Sequence, residues 1–516
     1  MLTSTDIKPQ AIVQHWFEHS WQGVLIVFIA GALLPLAFSP VDFYLLAIIS
    51  PAILFYALLH VASPRRALWL GWFFGLGYFG TGVSWVFVAV YVFGNSSIFT
   101  AALLTVISIC FIAIYPGLQS FFSVYIIQKY QLKNKFLILV VVFPLTWVVI
   151  EWFRGWFLTG FPWLAIGYSQ TNSFLAGYAP IIGVYGVSWI VVILAGLLLS
   201  TLIDAKKIPL ALMSAAIIYI AGFLFMQLSW TDKTGNAIKV SLVQGNVDQS
   251  SKWDPEHFEK RKNRYLSLTR EHWDSDLVLW PENALTLFYH DVKDDFLTPL
   301  GREAKKEHTD IILGLPVLNQ KTREYYSSLV SIGSDEKFYH KNHLVPFGEF
   351  LPLASLLRGM IAFFDLPMSG FTPGEYQQNL LLAAGQKIAP TICYEDAFGE
   401  DLIRFLPEAS LILNASNNAW YGDSFAPHQH LQISRMRALE TGRDMMRVTT
   451  NGISALIDNK GKIIARSPQF KSYVVTGYVQ PRQGATPYVR WGNLPVFIIV
   501  IFSLFMLFIY IRKNNG

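Results

Sequence analysis

Three side chains able to act together on an acyl group stand at the ends of short apolar runs in the second half of the chain. They are Glu282 in "WPEN", Lys341 in "YHKNH" and Cys393 in "TICYED". A thiol is mostly protonated near neutral pH, its ordinary pKa being about 8.5. A carboxylate within reach can take that proton. An ammonium nearby favours the thiolate and can hold the oxyanion that forms when sulfur attacks a carbonyl. The product is a thioester, which a second nucleophile then opens. Taken singly, each residue has a plainer explanation: a Glu or Lys after a strand is usually a solvated loop residue, and a lone cysteine usually packs. The chain has only two cysteines in 516 residues. Cys110 falls inside an apolar segment and reads as a small hydrophobe, which leaves Cys393 without a partner in its own domain.

The elements that must position these residues are legible. "IKVSLVQGNV" (238–247) alternates and predicts a strand. "DPEHFEKRKNRYLSLTREHWD" (254–274) predicts a polar amphipathic helix. "DLVLWPENA" (276–284) is an apolar run stopped by Pro281, a buried strand with a loop at its carboxyl end. "DIILGLPV" (310–317), "KIAPTICYED" (387–396) and "ASLILNASN" (409–417) predict further buried strands. "YYSSLVSI" and "KFYHKNH" (325–332, 337–343) predict a hairpin that runs into a loop. "HQHLQISRMRALETGR" (428–443) predicts a helix, and "RVTTNGISALID" and "YVVTGYV" (447–458, 473–479) the closing strands. Short buried strands alternating with helices make an α/β layered domain, and ligands gather outside the carboxyl ends of such strands. "FFDLPMSGFTPGEYQQ" (363–378) reads as a long loop, either a lid or a surface excursion.

The rest of the chain is of another kind. Overall it is 53% hydrophobic and 15% charged, against about 25% charged in ordinary soluble domains. Apolar segments at 22–39, 41–60, 67–93, 97–127, 136–153, 175–203 and 208–229, with an eighth at 493–511, approach the roughly 20 residues a bilayer crossing needs. This predicts a seven-span bundle over 1–230, a globular domain over 231–490, and a last span and tail over 491–516. Arg65, Arg66, Lys129, Lys133, Lys135, Lys206, Lys207, Arg512 and Lys513 flank alternate ends of these segments, whereas "SPVD" (39–42) and "GNSS" (94–97) carry no Lys or Arg. Both termini are therefore expected in the cytoplasm and 231–490 outside. Arg154 lies on the other side, and Glu151, one helical turn before it, suggests a local ion pair. The net charge of +5 is mostly those anchors, and no basic stripe points to nucleic acid.

In order and context, Glu282, Lys341 and Cys393 resemble the Glu–Lys–Cys set of the carbon–nitrogen hydrolase (nitrilase) superfamily. "LVQGNVDQSSKWDP", "HKNHLVPFGEFLP", "ICYED", "SNNAWYGDSFAPHQH" and "RALETGRDMMRVTTNGIS", together with the span layout, resemble its membrane-embedded members, the bacterial apolipoprotein N-acyltransferases. The resemblance covers nearly the whole chain. It implies an αββα sandwich for 231–490, on the periplasmic side of the inner membrane. It also implies a reaction. An acyl chain passes from a phospholipid, typically phosphatidylethanolamine, to the α-amine of the N-terminal diacylglyceryl-cysteine of an apolipoprotein, the last step of lipoprotein maturation. By resemblance Glu282 is the base, Lys341 the oxyanion stabiliser, Cys393 the nucleophile and Glu349 a second catalytic glutamate. Trp253, Tyr394, Glu395, Trp420 and Tyr421 fall at substrate-binding positions. No cofactor is implied, and a monomer is expected.

Other signals count for less. The pairs His340/His343 and His428/His430 invite a metal reading but lack zincin spacing. The aromatic stretch 155–170 reads equally as an interfacial belt or as the rim of a lipid entrance. A tethered amidase, a transporter with a sensory outer domain and a non-catalytic nitrilase-like module compete with the acyltransferase. Seven preceding spans argue against the first, the near absence of ionisable residues within the spans against the second, and the intact Glu–Lys–Cys set against the third. Glu395 and Asp396, the carboxylates beside Cys393, are expected to belong to the site, with capping of the following helix the plainer alternative for Asp396.

Overall fold

The computed structural model describes residues 9–94, 96–351 and 370–515. It divides into two compact units. One comprises 1–84, 102–227 and 493–516, the other 85–101 and 228–492.

The first unit is helical. Among the described residues, five helices are long and apolar enough to cross a membrane: 98–129, 135–154, 174–203, 205–227 and 494–513. Helices 21–37 and 46–58 are apolar but shorter. The segment expected to run unbroken from 67 to 93 does not. It is a helix, Pro64–Gly82, followed by a second stretch, Trp85–Phe93, bent 52° away. The run "YFGTGVSW" spends two glycines in one turn, where helix propensity is lowest short of proline. Residues 85–101 group with the globular unit rather than with the helical one. Close helix packing explains Gly31, where a methyl group would stand 2.0 Å from the Phe74 carbonyl oxygen.

Glu151 and Arg154 do not pair with each other as expected. Arg154 donates to the carbonyls of Phe161 (2.7 Å) and Trp163 (2.6 Å), and Glu151 Oε1 accepts from the Ile166 N–H at 2.9 Å. A helix end leaves orphan polar groups, and here two charges fasten the loop that follows. The loop divides into a buried part carrying Trp163 and Tyr168 and an exposed part carrying Trp156, Phe157 and Leu158.

The second unit is built on two six-stranded sheets. The first contains β1 (Ile238–Gln244), β2 (Leu277–Leu279), β3 (Asp310–Leu318), β4 (Tyr325–Ile332) and β5 (Lys337–His340). The second contains β6 (Leu381–Ala383), β7 (Gln386–Ile392), β8 (Leu411–Ser416), β9 (Met445–Thr449), β10 (Ala455–Ile457) and β11 (Ile463–Arg466). The last strand, β12 (Tyr473–Val479), returns to the first sheet. The orders are β12-β1-β2-β3-β4-β5 and β11-β10-β9-β8-β7-β6. Each sheet has a parallel centre, β1–β2–β3 in one and β7–β8–β9 in the other, with antiparallel strands outside it.

The two-residue period of a strand sorts the core. Val240, Leu242, Leu277, Leu279 and Ile312 face the other sheet and pack with Ile388, Ile392, Leu413 and Val448. Their neighbours Val243, Val278, Trp280, Ile311 and Leu313 face outward onto Phe258 and Tyr265 of helix α1 (Phe258–Arg270) and Leu300 and Ala304 of helix α2 (Thr298–Lys306). Helix α3 (Ala426–Thr441) contributes Leu431 and Ala438 to the second sheet's core. The result is two facing sheets with helices packed on the outer side, the αββα sandwich that the resemblance implies. The loop read at 363–378 lies partly outside the described residues. Residues 370–378 hold no helix or strand, only a bridge from Gly370 to Phe350.

Candidate active site

Each candidate stands just past a strand's carboxyl end. Glu282 follows β2, Lys341 follows β5, Cys393 follows β7 and Asn417 follows β8. Gly314 in β3 sets how near Glu282 can lie to the sheet: a methyl group there would stand 2.4 Å from the Pro281 oxygen and 2.8 Å from Glu282 Cα. Gly314→Ala must push the Glu282 peptide outward. We expect a loss of at least about ten-fold in turnover, since a displacement of about 1 Å costs up to 10²-fold. Steady-state assay beside circular dichroism checks this, and unchanged turnover in a folded variant would refute it.

Lys341 is fully buried between two carboxylates. Its Nζ lies 3.3 Å from Glu282 Oε1 and 2.5 Å from Glu349 Oε1. Burial alone would strip the amine of its proton, but Glu282 and Glu349 more than offset that and hold it well above the usual lysine range. Glu349 is itself raised by burial, against the pull of Lys341. Its second oxygen accepts the Val345 N–H at 2.9 Å, and the second oxygen of Glu282 accepts the Asn417 N–H at 2.9 Å.

Cys393 is buried and holds a left-handed backbone, φ +52°, which costs a non-glycine residue of order 1 kcal/mol or more. Two donors fix that peptide: Asn414 Nδ2 at 3.0 Å and His430 Nε2 at 3.2 Å from the Cys393 carbonyl oxygen. Burial and then Glu282 push the thiol up to about 12, against the pull of Lys341 and the Asn417 N–H. It is therefore a thiol that must hand its proton to a base as it reacts, rather than a standing thiolate.

The second layer is charged. Asp396 does not cap the next helix. Its side chain is fully buried, with His430 Nε2 at 2.8 Å, Ser434 Oγ at 2.5 Å and Arg447 at 3.4 Å. Three donors outweigh its burial and hold the carboxylate below its usual range. His430 Nε2 faces two acceptors, while Nδ1 faces the Asn418 amide nitrogen at 3.1 Å. That pattern requires the neutral tautomer with the proton on Nε2, in keeping with burial lowering the His430 pKa. His340 bonds Ser328, and His343 lies 3.2 Å from Asp401 and stacks on Phe398.

Of the residues read as substrate-binding, Trp253 and Trp420 meet in one apolar cluster with Leu344, Phe371, Tyr325 and Phe350. Tyr421 packs edge-on to Trp85 at 4.8 Å and feels the charges of Cys393 and Lys341. Tyr394 packs against Phe398 and His343. Glu395 is differently placed. It is buried, and its two oxygens accept from the Tyr339 hydroxyl and the N–H groups of Asn342, His343 and Ile392, at 2.7–3.0 Å. Nothing is left over for a substrate, so it ties the loop after Lys341 to the turn at Cys393.

Sequence reasoning missed Lys252, whose Nζ donates to the Glu282 carbonyl at 3.0 Å. It also missed Asn417, whose contribution is a main-chain N–H, and Trp85, whose indole donates to Gln429 Oε1 at 3.2 Å. Trp85 was hidden in a segment greasy enough to pass for membrane. The clue to Lys252 was a lysine in an otherwise small and polar loop beside Trp253.

Comparison with known proteins supplies the family. Residues 30–197 match the model of the apolipoprotein N-acyltransferase N-terminal domain, and residues 239–488 match that of carbon-nitrogen hydrolase. The chain is 45% identical to the apolipoprotein N-acyltransferase of Methylococcus capsulatus over 475 residues, 92% of this chain and 93% of the relative. It belongs to the apolipoprotein N-acyltransferase family. Relatives of the same name from Coxiella burnetii, 37% identical over 94% of this chain and 99% of theirs, and Vibrio parahaemolyticus, 40% identical over 96% and 99%, agree. Within this acyltransferase family layout the whole buried cluster falls in the carbon–nitrogen hydrolase part, and the apolar helices fall mostly in the other.

Proposed function

We propose that this chain moves an acyl chain from a membrane phospholipid, typically phosphatidylethanolamine, to the α-amine of the N-terminal diacylglyceryl-cysteine of apolipoproteins. The observation that carries this reading is the buried Lys341 ammonium held between Glu282 and Glu349 within electrostatic reach of Cys393, in a chain of this family.

In the first half-reaction Glu282 takes the Cys393 proton as sulfur bonds to the ester carbonyl carbon. Lys341 holds the resulting oxyanion, and the main-chain N–H after the nucleophile assists. The C–O bond breaks and the lysophospholipid oxygen leaves with the proton from Glu282. In the second half, the acceptor amine attacks the thioester, Glu282 takes the amine's proton, and the thiol is restored as the amide forms. The mechanism is ping-pong. Glu349 keeps Lys341 charged and in place. The aromatic cluster around Trp253 and Trp420 keeps water away so that the amine, not hydroxide, opens the thioester.

The membrane donor accounts for the apolar helices. The reading includes eight crossings, both termini in the cytoplasm, and the globular unit on the periplasmic face of the inner membrane. The chain works as a single copy, since one chain supplies every group in the cluster.

Intact-protein mass spectrometry after incubation with phosphatidylethanolamine tests the thioester, with Cys393→Ala alongside. The expected result is a gain of one acyl chain, labile to hydroxylamine and absent in the variant. A preparation that transfers acyl groups while Cys393 never carries one would exclude covalent catalysis there.

A further inference from the structure

Lys252 lies in "SSKWDP", in the loop after β1, and is 2% exposed. An ammonium has three N–H donors. One goes to the Glu282 carbonyl oxygen at 3.0 Å, and among the described residues the other two have no acceptor. A lysine so placed costs stability unless its charge is needed there. It cannot swing out, because the loop is tied on both flanks. Asn417 Nδ2 donates to Gln249 Oε1 at 2.8 Å, and Arg261 donates to the carbonyls of Ser251 and Asp254 at 2.8 and 3.1 Å.

The charges explain it. Glu282 and Glu349 against Lys341 alone leave one negative charge in excess in this cluster, and Lys252 offsets it; the neighbouring Glu395 carboxylate is met instead by the Tyr339 hydroxyl and three main-chain N–H groups. The balance survives the first step of the proposed reaction: Glu282 becomes neutral as it takes the thiol proton, and an oxyanion appears in its stead. We propose that Lys252 is the second cation of this site, a positioning residue that fixes the Glu282 main chain and supplies the charge that lets the Cys393 sulfur become anionic. The role assigned to the oxyanion rests on the acyltransfer reading. The effect on the sulfur does not.

Alkylation of Cys393 by iodoacetamide, followed by peptide mass spectrometry between pH 6 and 10, needs no lipid. The charges bearing on the thiol are Glu282, Lys341, Glu349, Lys252 and Arg447, with the Tyr421 hydroxyl beside them. Those bearing on Lys252 are Glu282, Arg261 and Cys393. With the thiol near 12, the alkylation rate should climb with pH throughout. Burial lowers the Lys252 amine to about 8, so the wild-type climb should flatten around that pH as the lysine discharges.

In Lys252→Met the rate should be about ten-fold lower below pH 7, the order of effect expected when one unit charge acting on the sulfur through an effective dielectric constant of about 20 is removed. It should meet the wild-type rate above pH 9, where Lys252 is neutral anyway. Lys252→Arg should restore the rate at low pH and show no flattening. A Met variant slower by one factor at every pH has a folding defect instead, and one equal to wild type throughout has lost nothing; either result overturns the proposal. If wild-type enzyme transfers no acyl chain from phospholipid to an amine acceptor, the acyltransfer reading fails and the alkylation result stands on its own.

Discussion

Lys341→Met should abolish acyl transfer, with a fall in turnover of at least about 10³-fold. One oxyanion donor is worth about 10²–10³ in rate, and a positioned general base about 10²–10⁴. Here a single side chain supports both. With Lys341 gone, Glu282 and Glu349 face each other across a buried space with less positive charge to share, and at least one must take a proton. A protonated Glu282 cannot accept the thiol proton. The two losses are not additive, because both fall on one step. Lys341 stays charged in the wild type at any physiological pH, since its folded pKa lies above the ordinary lysine value. Its stabilisation is complete below that ordinary value, about 10.4, and fades only as pH rises through the folded value. Lys341 itself should therefore add no pH dependence between about pH 6 and 9 in the wild type, and partial recovery of the variant as pH rises would report the extra proton leaving the Glu282–Glu349 pair, with the lost oxyanion contact not restored. The assay is the initial rate of adduct formation on Cys393, alongside thermal unfolding to confirm a folded protein. A folded variant within ten-fold of wild type would refute the role.

The sequence reading went furthest where chemistry coincides with chain order. Glu282, Lys341 and Cys393 each sit within three residues of a strand end, and a strand stopped by Pro281 or by a polar turn is visible without coordinates. The alternation in 238–247 marked β1 as a strand in the same way, while the sandwich itself followed from the resemblance and its two faces from the packing of Val240 and Leu242 on one side and Val243 on the other. What escaped was whatever depends on contacts distant in sequence. Lys252 reaches Glu282 across 30 residues, and Asn417 reaches it across 135 through a main-chain N–H that no residue type announces. Apolarity was also ambiguous. Residues 85–93 are greasy enough to complete a span, yet Trp85 packs on Tyr421 and Phe93 lies 6.3 Å from Trp420. Hydropathy reports an apolar surrounding but not which one: in 85–93 Trp85 and Val90 are buried in the protein while Tyr91 and Val92 are exposed. The same ambiguity hid Asp396, because a carboxylate before a helix reads as a cap until Arg447 arrives from a strand 51 residues away.

Glu395→Ala should cost stability before it costs chemistry, and the cost should be large. Four donors converge on that carboxylate: the Tyr339 hydroxyl and the N–H groups of Asn342, His343 and Ile392. Each buried donor left without an acceptor costs about 1–3 kcal/mol. Water admitted to the cavity recovers part of that, so a net loss of about 3–5 kcal/mol is expected. For a domain of this size it lowers Tm by about 10 °C. Turnover should fall as well, because Asn342 and His343 directly follow Lys341 and Ile392 directly precedes Cys393, so slack at one carboxylate loosens two reacting groups together. Affinity for the acyl donor should hardly change, since no oxygen of Glu395 is left to meet a substrate. Glu395→Gln keeps one acceptor oxygen but turns an amide N–H₂ toward N–H groups, and should lose about half as much as alanine. Differential scanning calorimetry with donor-titration kinetics separates the two roles. If alanine leaves Tm unchanged and raises KM for the phospholipid, Glu395 binds substrate, as its place two residues after the nucleophile suggested. If Tm collapses and KM holds, Glu395 is the clasp between the two halves of the site, and the geometry of Lys341 relative to Cys393 depends on it.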